Sequence, residues 1–168
     1  MKIFLLGLPG SGKTKLGKEL SIALQLPFVD LDLAIEGVAG KKITDIFKEH
    51  GEGYFRELES EELKKWCSST SGLVMATGGG TPCFLDNMEL INQSGKSIFL
   101  DVPTSVIAKR ITKAGLSKRP LLSALQANEL KDQIEFLRSS RILFYKKAHI
   151  TITGEEITSA SIVEKINS

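Results

Sequence analysis

The amino-acid sequence predicts an α/β fold in which a five-stranded parallel sheet carries helices on both faces. Along the 168 residues, apolar runs of strand length alternate with segments of helical period, which is the pattern of a parallel sheet covered on both sides. A chain of this length also suffices for one domain with its own core. The predicted strands are residues 2–6, 28–31, 73–77, 97–102 and 149–153.

The first strand, the first helix and the second strand form a βαβ unit. Residues 3–6 are continuously apolar, as expected of a strand that is buried on both faces. Leu16, Leu20 and Leu24 then recur at helical spacing, and Pro27 stops the helix before the second strand. The predicted helix therefore crosses from one parallel strand to the next.

The remaining elements follow the same alternation, apart from two stretches. Pro103-Thr104 suits the opening of a helix after the fourth strand, and residues 158–166 can form a short closing helix. Residues 33–71 contain glycines among short helical pieces and no predicted strand, so we interpret them as an inserted helical subdomain. Residues 113–125 are basic and aperiodic, which suits either a mobile lid or a plain surface loop. The predicted core of this single domain comprises residues 1–32, 72–112 and 126–168.

Charge and composition argue against several classes of protein. The net charge of +2 is too small for a dedicated nucleic-acid binder, and no apolar run reaches the roughly 18 residues that a membrane-spanning helix needs. The apolar start of the chain stops at Gly7 instead of continuing as a signal peptide. Cys67 and Cys83 lie too far apart for a Cys-x-x-Cys zinc site and suit packing thiols in a reducing compartment. We therefore expect a cytoplasmic monomer without nucleic-acid or membrane partners.

A glycine-rich loop follows the first predicted strand. Residues 7–14, GLPGSGKT, match the phosphate-loop pattern G-x-x-x-x-G-K-[ST] and lie, as that pattern requires, between a strand and an amphipathic helix. Backbone N–H groups would hold the phosphates, Lys13 would reach the β- and γ-phosphates, and the Thr14 hydroxyl would ligate Mg²⁺. This predicts a three-layer P-loop NTPase sandwich, and the absence of an Asn-Lys-x-Asp string disfavours a GTPase. The expected nucleotide-binding residues here are Gly10, Ser11, Gly12, Lys13, Thr14 and Lys15.

Two carboxylates follow at the end of the second strand. Asp30 and Asp32 emerge at the C-terminal edge of the sheet, where open α/β folds bind ligands. One could contact the Mg²⁺ shell while the other accepts a hydrogen bond from an acceptor hydroxyl and steers its proton. The alternative is helix capping, because aspartate is a favoured N-cap residue and a helix should begin here.

Arg56 is the first of two arginines that predict an anion site. It precedes Glu59 by three residues near a predicted helix start, close enough for an ion pair. An exposed pair would add little stability. The nearby aromatic residues Phe47 and Phe55 favour instead a partly dry pocket in which the guanidinium could hold a carboxylate.

Arg141 is the second. Leu130, Ile134 and Leu137 form one stripe of a predicted helix, and Arg141 continues the stripe about three turns from its start. Its stem should leave from the core-facing side, whereas Arg138 should lie about 80° away. An inward guanidinium needs an anion, which is either an internal carboxylate or an acidic substrate.

Three consecutive glycines, Gly78-Gly79-Gly80, follow the third strand, more than a turn requires. Some group must approach this backbone closely, and tight packing of a helix on the strand is the alternative to a ligand. Asp101, at the end of the fourth strand, resembles a Walker B aspartate and is a reserve metal ligand.

Together these motifs resemble the shikimate kinase family along nearly the whole chain. The resemblance implies the nucleoside-monophosphate-kinase-like fold, with a substrate-binding subdomain and a lid. It also implies ATP-dependent phosphorylation of the shikimate 3-hydroxyl in aromatic amino-acid biosynthesis. The matching residues, in family order, are 7–14, Asp30-x-Asp32, Ile46-Phe47, Gly51-Glu52, Phe55-Arg56-x-x-Glu59, Gly78-Gly79-Gly80, Arg119-Pro120-Leu121-Leu122 and Arg141 with Tyr145.

The resemblance further implies roles for individual residues. Asp32 would hold shikimate hydroxyls and act as the base, assisted by Lys13 and by Arg119, which would close from the lid onto the phosphates. Arg110 would lie near adenine, and Lys15 stands where the family usually has threonine. The expected metal ligands are Thr14 and Asp30, and the expected shikimate contacts are Asp32, Arg56, Gly78, Gly79, Gly80 and Arg141.

Two alternatives stay open at this point. A related kinase for another small hydroxy acid, such as gluconate, would keep the phosphate loop but should not need this combination of arginines and glycines. A P-loop protein that holds nucleotide without turnover would keep the loop and show no phosphorylation.

Overall fold

The computed structural model describes residues 1–114 and 127–168, and in these stretches five strands form one parallel sheet. The strands are β1 Lys2–Leu6, β2 Phe28–Asp30, β3 Leu73–Ala76, β4 Lys96–Asp101 and β5 Ile150–Thr153. Their order across the sheet is β2-β3-β1-β4-β5, and all four pairings are parallel. The predicted sheet is thus confirmed, with strand ends that differ from the prediction by at most one residue. The second strand is shorter than predicted because Leu31 already begins a helix.

The connections between the strands are helical. Within the described stretches the helices are α1 Lys13–Leu24, α2 Leu31–Ala39, α3 Ile43–Ser68, α4 Asn87–Ser94, α5 Thr104–Ala114, α6 Ala127–Tyr145 and α7 Ser159–Asn167, with a 3₁₀ turn at Thr81–Cys83. The long helix α3 is interrupted at Gly51, whose φ of 80° and ψ of 177° are not helical. Only glycine adopts such a backbone easily, so the segment that carries Arg56 begins anew just after Gly51.

Alternating side chains of β1 show how the sheet is buried on both faces. Phe4 and Leu6 belong to a core cluster with residues of α2, α3, α4, α5 and α6. Ile3 and Leu5 point to the other face and pack in a second cluster with residues of α1 and α7. All four side chains are fully buried, as expected of a central parallel strand. The three-layer sandwich predicted from the sequence is confirmed.

The parallel topology brings four polar segments to one edge of the sheet. The phosphate loop follows β1, Asp30 ends β2, the glycine triplet follows β3 and Asp101 ends β4. The carboxyl ends of parallel strands are where open α/β folds bind ligands. A site can therefore be assembled here from segments that are far apart in sequence.

The two irregular stretches of the sequence differ in what can be described. Helices α2 and α3 occupy most of residues 33–71, and the assignment of this segment to substrate binding stays a prediction. The predicted lid, residues 113–125, lies outside the described residues except for the end of α5, and Arg119 lies outside them too. In the stretches that are described, every helix is too short or too polar to cross a membrane.

Candidate active site

The phosphate loop wraps around the ammonium group of Lys13. Lys13 Nζ donates hydrogen bonds to the carbonyl oxygens of Gly7 at 2.8 Å and Leu8 at 3.0 Å, and the residue is only 9% exposed. The wrapping requires glycine, because Gly10 has a φ of 89° and Gly12 a φ of 99°. The N-terminus of α1 and the lysine charge thus meet at the mouth of the loop, which suits an anion.

Asp30 caps helix α2, which was the alternative to a functional role for the carboxylates at this edge, and it also bonds to the phosphate loop; its role as a metal ligand stays a prediction. Its Oδ1 accepts a hydrogen bond from the backbone N–H of Leu33 at 3.4 Å, so it is the N-cap of α2. Its Oδ2 accepts a hydrogen bond from Thr14 Oγ1 at 2.9 Å. Two oxygen ligands from distant segments therefore lie side by side at the entrance to the phosphate loop.

This pair of oxygens fits Mg²⁺, which prefers oxygen ligands and keeps several of its own waters. No group of three or more His, Cys, Asp or Glu side chains that could hold a metal occurs in the described stretches. The donor set around Thr14 and Asp30 would suit a sparsely ligated cation that arrives with its substrate, and the metal role of both residues stays a prediction.

Asp32 lies on the first turn of α2, against Gly78 of the glycine triplet and within reach of the charge of Lys13. Burial, followed by the nearby charges of Asp30 and Glu59, raises its pKa from 3.8 to about 6, against the opposing effect of Lys13. A methyl group on Gly78 would come within 2.9 Å of Asp32 Oδ1, so the carboxylate rests against the triplet. A carboxylate with a pKa near neutrality is suited to accept a proton during a reaction.

Arg56 is held in a partly dry environment between one buried and one exposed glutamate. Its side chain is 11% exposed, and Nη1 donates to Glu59 Oε2 at 2.8 Å while Nη2 donates to Glu52 Oε1 at 3.1 Å. The guanidinium carbon also lies 4.2 Å from the ring centre of Phe84 and 5.1 Å from that of Phe55. These contacts fix the plane of the guanidinium, and its role in binding an acid substrate stays a prediction.

The glycine triplet is the surface on which both arginines rest. A Cβ at Gly80 would lie 2.6 Å from Arg56 Nη2, and one at Gly79 would lie 3.0 Å from Arg141 Nη1. Any side chain at these positions would therefore push the guanidinium groups away. The close approach expected from three consecutive glycines is observed. The groups that approach include the side chains of Arg56, Arg141 and Asp32, together with Pro9, Thr81 and Glu59.

The two arginines of α6 diverge in the way that helical periodicity predicts. Arg141 follows the buried residues Leu130 and Ile134 on the core-facing side and reaches the triplet. Arg138 instead forms an ion pair with Asp101, with Nη1 and Oδ1 2.5 Å apart. One oxygen of Asp101, the reserve metal ligand of the sequence analysis, is thus engaged by Arg138.

Tyr145 anchors the end of α6 to the same triplet. It is fully buried, and its hydroxyl donates to the carbonyl oxygen of Gly79 at 2.5 Å. Burial raises the pKa of Tyr145 above its ordinary value, so the hydroxyl stays a donor. This hydrogen bond, one helical turn after Arg141, holds the end of α6 against Gly79.

Arg110 and Lys15 are the other residues predicted to contact the nucleotide, and only Arg110 contacts the phosphate loop. Arg110 Nη1 donates to the carbonyl oxygen of Ser11 at 3.3 Å, and Nη2 donates to that of Glu155 at 2.8 Å, so Arg110 joins the phosphate loop to the segment after β5. Lys15 is on the outer face of α1, where its side chain is 83% exposed and lies 3.9 Å from Glu19. The nucleotide contacts of Arg110 and Lys15 stay predictions.

Two residues that were not predicted from the sequence complete the arginine pocket, by which we mean Arg56, Arg141 and the glycine triplet that they contact. Phe84 covers the Arg56 guanidinium, and Thr81 donates from its hydroxyl to Glu59 Oε1 at 2.6 Å. Thr81 directly follows the triplet, which was the available signal, whereas the position of Phe84 depends on the 3₁₀ turn between them.

The amino-acid sequence matches a known protein family. The family model of shikimate kinase matches residues 9–168. The chain belongs to the shikimate kinase family. A shikimate kinase from Parabacteroides distasonis is 40% identical over 167 residues, which cover 99% of this chain and 95% of the relative. One from Microcystis aeruginosa is 42% identical over 167 residues, covering 99% of this chain and 84% of the relative.

Solved shikimate kinases have the same fold. The crystal structure of the Bacteroides thetaiotaomicron shikimate kinase matches with a TM-score of 0.91 and 37% identity, covering 99% of this chain and 96% of that one. The Acinetobacter baumannii shikimate kinase, solved in complex with shikimate, matches with a TM-score of 0.86 and 32% identity, covering 99% of this chain and 90% of that one.

Proposed function

We propose that this shikimate kinase family member transfers the γ-phosphoryl group of ATP to the 3-hydroxyl of shikimate. The products are shikimate 3-phosphate and ADP, and the reaction belongs to the route to chorismate and the aromatic amino acids. One observation carries the proposal: Asp32 lies between a phosphate loop and a pocket with two arginines, and it rests on the glycine triplet that forms the pocket floor. That arrangement suits a small hydroxylated acid facing a nucleotide.

The arginine pocket would bind the carboxylate of shikimate. Arg56 and Arg141 both lie against the triplet, so an anion there would accept hydrogen bonds from two guanidinium groups. Glu59 and Glu52 hold Arg56 in place. Gly78, Gly79 and Gly80 leave room for the ligand beside the arginines because they have no side chains.

The nucleotide would lie along the phosphate loop. Lys13 would exchange its bonds to loop carbonyls for bonds to phosphate oxygens, and Arg110, which donates to a carbonyl of the loop, would contact adenine. When bound with ATP, Mg²⁺ would neutralise phosphate charge, with Thr14 and Asp30 as its protein ligands. The proposed nucleotide contacts are Gly10, Ser11, Gly12, Lys13, Thr14, Lys15, Arg110 and Arg119.

The proposed transfer assigns the proton to Asp32. The 3-hydroxyl oxygen forms a bond to the γ-phosphorus, its proton passes to the Asp32 carboxylate, and the bond to the bridging oxygen breaks to release ADP. Lys13, together with Arg119 from the proposed lid, would stabilise the charge that builds up on the phosphoryl oxygens.

A coupled assay for ADP release tests the proposal. With ATP and Mg²⁺, shikimate should support turnover and gluconate should not, because the open chain of gluconate does not hold a hydroxyl and the carboxylate at one fixed separation, as the ring of shikimate does. Turnover with gluconate alone would indicate the related kinase. Binding of ATP without turnover of either acid would indicate a P-loop protein that only holds nucleotide.

The location, the oligomeric state and the domain layout of the enzyme are also proposals. We propose a cytoplasmic monomer whose partners are small molecules, in keeping with the net charge of +2 and two free thiols. The proposed layout has a core at 1–32, 72–112 and 126–168, a substrate-binding subdomain at 33–71 and a lid at 113–125.

The pH dependence of kcat/KM for shikimate should report Asp32. Its pKa of about 6 means that the carboxylate is protonated, and useless as a base, at lower pH. We expect kcat/KM to be about tenfold below its plateau one pH unit under this pKa. Initial rates between pH 4.5 and pH 8 would check this, and a plateau that continues down to pH 4.5 would contradict it.

Removing the Thr14 hydroxyl should raise the Mg²⁺ concentration that the reaction requires. In Thr14→Val the hydroxyl beside Asp30 is lost, so the Mg²⁺ concentration for half-maximal rate should rise by about tenfold or more. Thr14→Ser keeps a hydroxyl at the same place and is the control, with a requirement close to that of the wild type. Equal Mg²⁺ dependence in the valine and serine variants would exclude Thr14 as a ligand.

A further inference from the structure

A closed circuit of buried hydrogen bonds adjoins Arg56 and the glycine triplet, where Glu59 and Thr81 both lie against Gly78. Glu59 Oε2 accepts from Arg56 Nη1 at 2.8 Å, and Glu59 Oε1 accepts from Thr81 Oγ1 at 2.6 Å. The Thr81 carbonyl accepts from Asn87 Nδ2 at 3.0 Å, and Asn87 Oδ1 accepts from Ser60 Oγ at 2.8 Å. Ser60 is the neighbour of Glu59 in α3, so the circuit returns to its start.

The residues of this circuit are as buried as those of the hydrophobic core. Glu59 is 1% exposed, Ser60 2%, and Thr81 and Asn87 0%. A carboxylate in such a place is costly unless both of its oxygens have donors. Glu59 has one donor for each oxygen, the guanidinium on one side and the threonine hydroxyl on the other. If the hydroxyl were lost, no water could readily replace it.

Thr81 also belongs to the turn that continues the glycine triplet. Its backbone N–H donates to the carbonyl oxygen of Gly78 at 3.2 Å, and the N–H of Cys83 donates to that of Gly80 at 2.9 Å. The hydroxyl of Thr81 therefore connects the backbone of the pocket floor to Glu59, the residue that holds Arg56. A small change at Thr81 would alter both the charge partner of the guanidinium and the surface on which it rests.

We infer that Thr81 is a positioning residue that aims Arg56 at the substrate carboxylate through Glu59, with Asn87 and Ser60 holding Thr81 in place. The inference rests on the proposed function, because it assigns Arg56 to the shikimate carboxylate. Because the Thr81 hydroxyl is donated to Glu59, we assign Thr81 no direct contact with the substrate. Its loss should weaken binding of the acid much more than it changes the chemical step, although Thr81 and Asp32 both lie against Gly78, and it should leave the nucleotide site nearly unchanged.

The first test compares Thr81→Val with Thr77→Val. Both substitutions remove a buried threonine hydroxyl next to the triplet, but Thr77 donates to the carbonyl oxygen of Leu5 at 3.0 Å and has no bond to Glu59. In Thr81→Val the KM for shikimate should rise about tenfold, the cost of one hydrogen bond to a charged group, while kcat and the KM for ATP change less than about twofold. In Thr77→Val the KM for shikimate should stay near that of the wild type. Equal KM values in the two variants would overturn the inference.

A second test distinguishes the positioning of Arg56 from a general effect of Thr81 on the stability of the fold. Thr81→Ser and Thr81→Ala both lose the methyl group and differ by one hydroxyl, so the serine variant should recover a KM near that of the wild type and the alanine variant should not. In an Arg56→Lys background, Thr81→Ala should raise the KM for shikimate much less than in the wild type. Equal effects of Thr81→Ala in both backgrounds would mean a general structural role and would overturn the inference.

The proposed function and this inference can fail separately. If the wild type does not phosphorylate shikimate, the proposed function is overturned. If the wild type turns over normally and the KM of the Thr81→Ala variant for shikimate is unchanged, this inference alone is overturned.

Discussion

Replacing Asp32 by asparagine is expected to lower kcat for shikimate by about 10²- to 10⁴-fold, the usual contribution of a positioned general base. The amide is nearly the same size and can still lie against Gly78, but it cannot take the proton of the 3-hydroxyl. The affinity for ATP should change little, because the phosphate loop and Lys13 are untouched. Steady-state kinetics with shikimate and direct titration of ATP would measure the two effects separately.

Glu36→Gln is the matched control for this variant. Glu36 lies on the same helix as Asp32, but its carboxylate bonds to Lys42 at 2.8 Å and to the backbone N–H of Ile43 at 3.1 Å. The change from acid to amide at this position should leave kcat within about threefold of the wild type, as for a surface substitution with small energetic effect. An Asp32→Asn enzyme as active as the Glu36→Gln enzyme would remove Asp32 as the base.

The same Asp32→Asn variant should be more stable than the wild type at alkaline pH. Burial raises the pKa of Asp32 to about 6 in the folded chain, above its ordinary value of 3.8. The folded state therefore holds the proton more tightly, and the wild type loses stability as the pH rises from about 4 through 6. Asparagine has no proton to lose, so at pH 8 its free energy of unfolding should be higher by on the order of 2 kcal/mol. Denaturant unfolding at pH 8 and at about pH 3, below both pKa values, where the difference should vanish, would check the sign.

Replacing Arg141 by alanine is expected to raise the KM for shikimate by about 10- to 100-fold, the value of a hydrogen bond between charged groups. Arg141 Nη1 lies at the triplet, where a Cβ on Gly79 would be 3.0 Å away, so its loss removes one of the two guanidinium groups proposed for the acid. The KM for ATP should stay within about twofold, because the phosphate contacts proposed for the nucleotide come from other elements. Substrate-dependence curves for each substrate would resolve the two constants.

Arg138→Ala provides the control on the same helix. It removes an equal charge one turn earlier, but its partner is Asp101 at 2.5 Å and not the triplet. The KM for shikimate should therefore rise much less than in Arg141→Ala. Similar increases in both variants would mean that the overall positive charge of the helix, and not the position of Arg141, attracts the acid.

Much of this protein was determined by local sequence patterns. The apolar run of β1, the glycines of the phosphate loop and the helical stripe leading to Arg141 each predict a direction in space, because the period of an element decides which side chains share a face. The sheet, the loop and the inward course of Arg141 followed from such patterns. The exact end of β2 did not, because Asp30 caps α2 and turns the chain one residue early.

Contacts between elements that are distant in sequence were decided by the tertiary structure alone. The bond from Thr14 to Asp30, the pair of Arg138 with Asp101, and the circuit that joins Glu59 to Thr81 each depend on how helices pack on the sheet. The raised pKa of Asp32 likewise depends on its burial and on the nearby charges. Periodicity states which way a side chain points, but distances of about 3 Å between elements depend on the close packing of the whole interior. The sequence by itself therefore determined the fold and the chemical character of the site, and packing decided which groups are close enough to act together.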